Sequence, residues 1–138
     1  MKLVDTNVAV HLLLSGPLVA NARALYERDP EWHTEPLLFV ELTNVLATAT
    51  RATNTTRAKA MLALDETHQL FDGALHAIDD QTAFATAIRF RVSCYGARFI
   101  AAATALGCRL VTEDAKLRAK APALTWSIAE ALAARGER

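Results

Sequence analysis

Short apolar runs set between helix-like stretches are the strongest constraint on how this chain can fold. They are KLVD at 2–5, ALHAI at 74–78, RLVT at 109–112 and LTWSI at 124–128, with a further short strand expected around Trp32–Thr34. Apolar strands that alternate with helices call for a parallel sheet covered on both faces. The pattern therefore predicts an α/β fold: a three-layer α/β/α sandwich with a short-stranded, mainly parallel central sheet. At 138 residues, one domain spanning 1–138 is expected.

The helices are equally legible. TNVAVHLLL reads as a helix stopped by Ser15-Gly16-Pro17, and Leu18 to Arg28 has helical spacing. Pro36 stands where a first helical turn tolerates proline, ahead of LLFVELTNVLATATR. Asn54 to Thr56 can cap RAKAMLALDETHQLF, and Asp79 or Asp80 can cap the amphipathic run DDQTAFATAIRFRV. A long alanine-rich helix follows, with Gly96 in its first turn and Gly107 at its C-terminal stop. DAKLRAK and AEALAARGE complete the set.

Composition narrows the function classes. The chain is 52% hydrophobic and 22% charged, which is globular and not disordered. VAVHLLL is too short for a membrane span, and Asp5 spoils it as a signal start, so a cytoplasmic protein with no membrane partner is expected. Cys94 and Cys108 are too far apart for a C-x-x-C motif and are expected to be reduced core residues. Formal net charge is zero, yet Asp65 to Asp80 is acidic and Arg89 to Lys120 basic, which permits a face for a polyanion. The four histidines form no paired-ligand spacing, and Trp32 and Trp126 read as packing residues.

Ligands of an open parallel sheet gather beyond the carboxyl ends of its strands. Asp5 closes the first strand and Asp114 follows RLVT, while Glu41 interrupts an apolar helix. Separated carboxylates without cysteine or paired histidines suit a hard cation such as Mg²⁺ or Mn²⁺, with Thr6, Asn7 and Thr112 as neutral hydrogen-bonding support. Simpler roles compete. Asp5 and Asp114 can cap the helices that follow them, and Glu41 can turn outward or pair with Arg51.

KLVDTNVAVHLL, PLLFVELTNVL and YGARFIAAATALGCRLVTEDAKL together resemble the PIN-domain ribonucleases, and within them the VapC toxins of toxin–antitoxin pairs. The resemblance implies an Mg²⁺- or Mn²⁺-dependent endoribonuclease, with Asp5, Glu41 and Asp114 as catalytic and metal-binding acids. It also implies a homodimer silenced by a small antitoxin, for which the two apolar-rich helices of Leu37 to Leu70 would offer a groove. The family's remaining acid stands in a Y-D-A triplet that here reads Tyr95-Gly96-Ala97. The glycine marks an inactivating change, a natural loss, or a vacancy filled by a neighbour such as Glu113; the first two are favoured. If RNA binds, Arg98 is the expected phosphate contact, with Arg57 and Lys59 behind it. The competing function is a catalytically dead module that binds RNA or a protein. A phosphatase-like or nucleotide-binding protein is disfavoured by the lack of a glycine-rich phosphate loop.

Overall fold

In the computed structural model, residues 1–134 are described. Strand β1 (Lys2–Val4) lies at the centre beside β3 (Leu110–Val111), with β2 (Trp32–His33) and β4 (Thr125–Trp126) at the edges. The order is β2-β1-β3-β4 and every pairing is parallel. All three residues of β1 and both of β3 are buried, as strands covered on both faces must be. Lys2 tolerates this because its ammonium reaches out to Asp29, 3.2 Å away.

Eight α-helices surround the sheet among the described residues. They are α1 (Thr6–Leu13), α2 (Val19–Arg28), α3 (Leu37–Arg51), α4 (Arg57–Leu70), α5 (Asp80–Phe90), α6 (Cys94–Leu106), α7 (Ala115–Lys120) and α8 (Ile128–Ala133). The architecture is the expected α/β/α sandwich. Helix α6 packs on β1 and β3 and is covered by α5, while α2 packs between α1 and α8. The core includes Leu3, Val4, Phe99, Ile100, Leu110, Val111 and Ile128.

The caps follow the sequence. Thr56 accepts from Lys59 N, Asp79 from Thr82 N, and Gly107 ends α6 at φ 68°. Ser127 and Glu130 form a reciprocal capping box at α8. Helix α5 stops at Phe90 because Arg91 takes the left-handed conformation, φ 56°.

Three expectations need correction. ALHAI is not a strand: it makes one isolated bridge, Thr34 to Leu75, because its ends are taken by the turn after α4 and the Asp79 cap. LTWSI contributes only Thr125 and Trp126, since Ser127 already caps α8. Cys94 is exposed at the first position of α6, so only Cys108 is a core thiol. The last part of AEALAARGE lies outside the described residues.

Candidate active site

Strand β1 leads to β2 on one side of the sheet, and β3 to β4 on the other, so the chain changes direction between β1 and β3. A crevice opens at the carboxyl ends of strands at such a point. Here it is a cleft of about 680 Å³ whose walls include Asp5, Glu41, Asp114 and Gly96.

Register brings the first two polar groups together. Val4 pairs with Val111, so Asp5 and Thr112 leave the sheet side by side, and Asp5 N donates to Val111 O at 3.0 Å. Thr112 Oγ1 donates to Asp5 Oδ2 at 2.7 Å, and the other carboxylate oxygen accepts from Thr6 N at 2.7 Å. Thr112 Oγ1 in turn accepts from Asp114 N at 3.1 Å. Asn7 braces the same turn, accepting from Glu113 N at 3.0 Å. Glu41 arrives from α3 and accepts from Thr6 Oγ1 at 2.7 Å. Neither an outward turn nor a pairing with Arg51 describes it, because Arg51 bonds Thr48.

The capping reading of Asp5 and Asp114 holds, and it leaves both on the cleft. Asp5 caps α1, and Asp114 Oδ1 accepts from Lys116 N and Leu117 N at the start of α7. Each cap fixes a carboxylate on the wall of the cleft. Asp5 is the buried member, and its pKa is pushed up from 3.8 to about 6 by burial, with the negative charges of Glu41 and Asp114 adding to the rise.

Gly96 occupies the third position of α6, where its N–H donates to Ser93 Oγ at 3.2 Å. A β-carbon there would come within 2.9 Å of Leu117 Cδ1. The side chain of Leu117 has thus settled into the space in front of the glycine. Glu113 does not fill the vacancy, because its carboxylate accepts from Ile128 N at 2.8 Å, at the start of α8.

A family profile for the PIN domain matches residues 2–122. The chain belongs to the PIN domain family. PIN domains are generally nucleases, and such nucleases generally use divalent metals. The fold also superposes on the crystal structure of PAE2754 from Pyrobaculum aerophilum with a TM-score of 0.69. That match has 20% sequence identity and covers 96% of this chain and 97% of that one. Among curated proteins, none matches.

Among the described residues of this PIN domain, no group of three or more His, Cys, Asp or Glu side chains is arranged to hold a metal ion. The donor type nonetheless suits a hard cation. All three acids on the cleft offer oxygen, and the buried charge of Asp5 is crowded by two others in a way that a cation would relieve.

The structure places the expected RNA contact, Arg98, off the walls of the cleft. Arg98 is two residues from Gly96, so it points to another side of α6. Its guanidinium is bound to Glu35 at 3.4 Å, to Asp80 and to the carbonyl of Ile78. Arg57 and Lys59 are exposed on α4 and do not line the cleft. The cations on its rim are Arg91, Lys116 and Lys120, and exposed Tyr95 stands among them. The sequence shows these residues as a basic run but not which of them face the acids. Only the turn after α5 and the short helix α7 settle that.

Proposed function

We propose that this PIN domain is a VapC-like endoribonuclease toxin, dependent on Mg²⁺ or Mn²⁺ and weakened by Gly96. The observation that carries the reading is one cleft lined by Asp5, Glu41 and Asp114 together with Arg91, Lys116 and Lys120. Asp5, Glu41 and Asp114 would hold the ion, which when bound neutralises phosphodiester oxygens and makes water a nucleophile. Thr112 and Thr6 keep the carboxylates of Asp5 and Glu41 aimed, and the rim cations hold the RNA backbone. A homodimer and a small antitoxin are the proposed protein partners. Val40, Val45, Met61 and Leu62 are exposed on α3 and α4 and offer the antitoxin an apolar surface.

One observation favours the alternative, a catalytically dead module that binds RNA or a protein partner. Leu117 already packs against Gly96, so a side chain at this position has no room unless Leu117 shifts.

The test compares the chain with Gly96→Asp on single-stranded RNA in Mg²⁺ and in Mn²⁺. Losing one carboxylate from such a site is expected to cost about 10²-fold in rate, so restoring it should return at least that much. The aspartate needs Leu117 to rotate aside, and Gly96→Asp with Leu117→Ala serves as the relieved background. No metal-dependent cleavage and no growth arrest from either variant overturns the toxin reading. Full activity of the glycine form overturns the role given to position 96.

A further inference from the structure

A second polar cluster lies away from the acidic cleft, on the β2 edge of the sheet. Thr34 N donates to Ala74 O at 3.0 Å and His76 N donates to Thr34 O at 2.8 Å, so segment 74–78 is tied by its backbone to the end of β2. This pairing brings two imidazoles together from opposite sides of the seam. His33 Nδ1 and His76 Nε2 are 2.9 Å apart, with ring centroids at 5.0 Å and planes inclined by 48°. Both side chains are partly buried, yet both are reachable from solvent.

The carboxylate beside them sets the protonation pattern. Glu31 Oε1 is 3.3 Å from His33 Nε2, the ring nitrogen turned away from His76. That contact places the His33 proton on Nε2 and leaves Nδ1 as a lone-pair donor facing its neighbour. Burial and the adjoining His33 both lower the pKa of His76, which keeps its ring neutral at ordinary pH. The other oxygen of Glu31 is 3.9 Å from the Met1 ammonium, which helps to hold the carboxylate in place.

An imidazole oriented by a carboxylate on its far nitrogen is a recurrent feature of metal-binding histidines. The separation also fits. Two nitrogens bound at about 2.0–2.1 Å and at right angles around one ion stand about 2.9 Å apart. We propose that His33 and His76 form a two-imidazole site for a nitrogen-preferring divalent cation of tetragonal geometry, Cu²⁺ or Ni²⁺, with water completing the shell. On binding, the His76 proton moves from Nε2 to Nδ1 by exchange with water, which frees Nε2 to bind the ion. Neither histidine lines the acidic cleft, so this site is separate from the one proposed for Mg²⁺ or Mn²⁺. The ion would clip segment 74–78 to the edge strand.

Titration of the full chain with Cu²⁺, followed by calorimetry and electron paramagnetic resonance, tests the assignment. The expected result is one equivalent per chain with hyperfine coupling to two imidazole nitrogens. His33→Gln and His76→Gln should each weaken binding at least tenfold, and Glu31→Gln should weaken it by roughly 10- to 100-fold. His11→Gln and His68→Gln should leave it unchanged. Ni²⁺ should raise the thermal midpoint of the unaltered chain and not that of folded His76→Gln. An oxygen-only spectrum, or a two-nitrogen spectrum that survives both His33→Gln and His76→Gln, overturns the proposal.

Discussion

Asp5 joins the site to the stability of the fold. Its carboxylate accepts from Thr6 N and Thr112 Oγ1, but burial beside Glu41 and Asp114 still raises its pKa from 3.8 to about 6. An acid whose pKa is higher in the folded than in the unfolded state binds more protons when folded, between the two values. Its contribution to stability is therefore full below about pH 4 and is lost as pH rises through about 6. In EDTA, the chain should lose about 2–3 kcal/mol of stability from this group between those values. Asp5→Asn should remove that decline and be the more stable protein at pH 7.5, while lowering cleavage by about 10²-fold or more. Urea melts across the pH range check the first outcome and an RNA cleavage assay the second. A flat profile for the unaltered chain would show that Asp5 is not crowded as described.

At the scale of elements, the turn between α5 and α6 shapes the rim. Arg91 ends α5 at φ 56°, a conformation that costs a residue with a β-carbon about 1–2 kcal/mol and costs glycine little. The same turn carries Val92, Ser93 and Tyr95 along the wall of the cleft. Arg91→Gly is expected to raise stability by about 0.5–1 kcal/mol, because relief of the backbone exceeds the greater unfolded-state entropy of glycine. It should also weaken RNA binding by removing a rim cation. Thermal melts and binding measured on one preparation separate the two effects, and a loss of stability would place the cost elsewhere than in the backbone. Helix α7 works in the same way on the opposite wall. Asp114 caps it, and one turn later Leu117 covers Gly96 while Lys116 and Lys120 reach the rim.

For the molecule as a whole, formal charge is zero, so attraction for RNA must come from where the charges lie. Arg91, Lys116 and Lys120 surround a cleft whose interior is acidic. If these three hold single-stranded RNA, the logarithm of affinity should fall with the logarithm of salt concentration with a slope near −2, from about −0.7 per phosphate. Lys116→Gln and Lys120→Gln should each flatten that slope by about 0.7, whereas Arg98→Gln should leave it unchanged. Fluorescence anisotropy at several salt concentrations, in EDTA to prevent cleavage, provides the measurement. Among the described residues no helix is long and apolar enough to cross a membrane.

Periodicity and capping residues are local properties, and they carry far through this chain. Thr56, Asp79 and Gly107 mark helix ends that the fold keeps, and KLV and LV have nowhere to go but the interior of a parallel sheet. Asp5, Glu41 and Asp114 are visible one by one for the same reason, as acids at strand ends or on an apolar helix. Their convergence depends on the register of β1 against β3 and on the packing of α1 against α3, which are contacts between distant parts of the chain. The placing of Arg98 follows from that distinction, since nearness to Gly96 in the chain says nothing of partners such as Glu35, 63 residues away. ALHAI has the composition of a strand, but a strand exists only where a neighbour supplies the ladder, and it finds one bridge, to Thr34 just past β2. Local preference fixes which elements form; long-range packing fixes which side chains share a cleft.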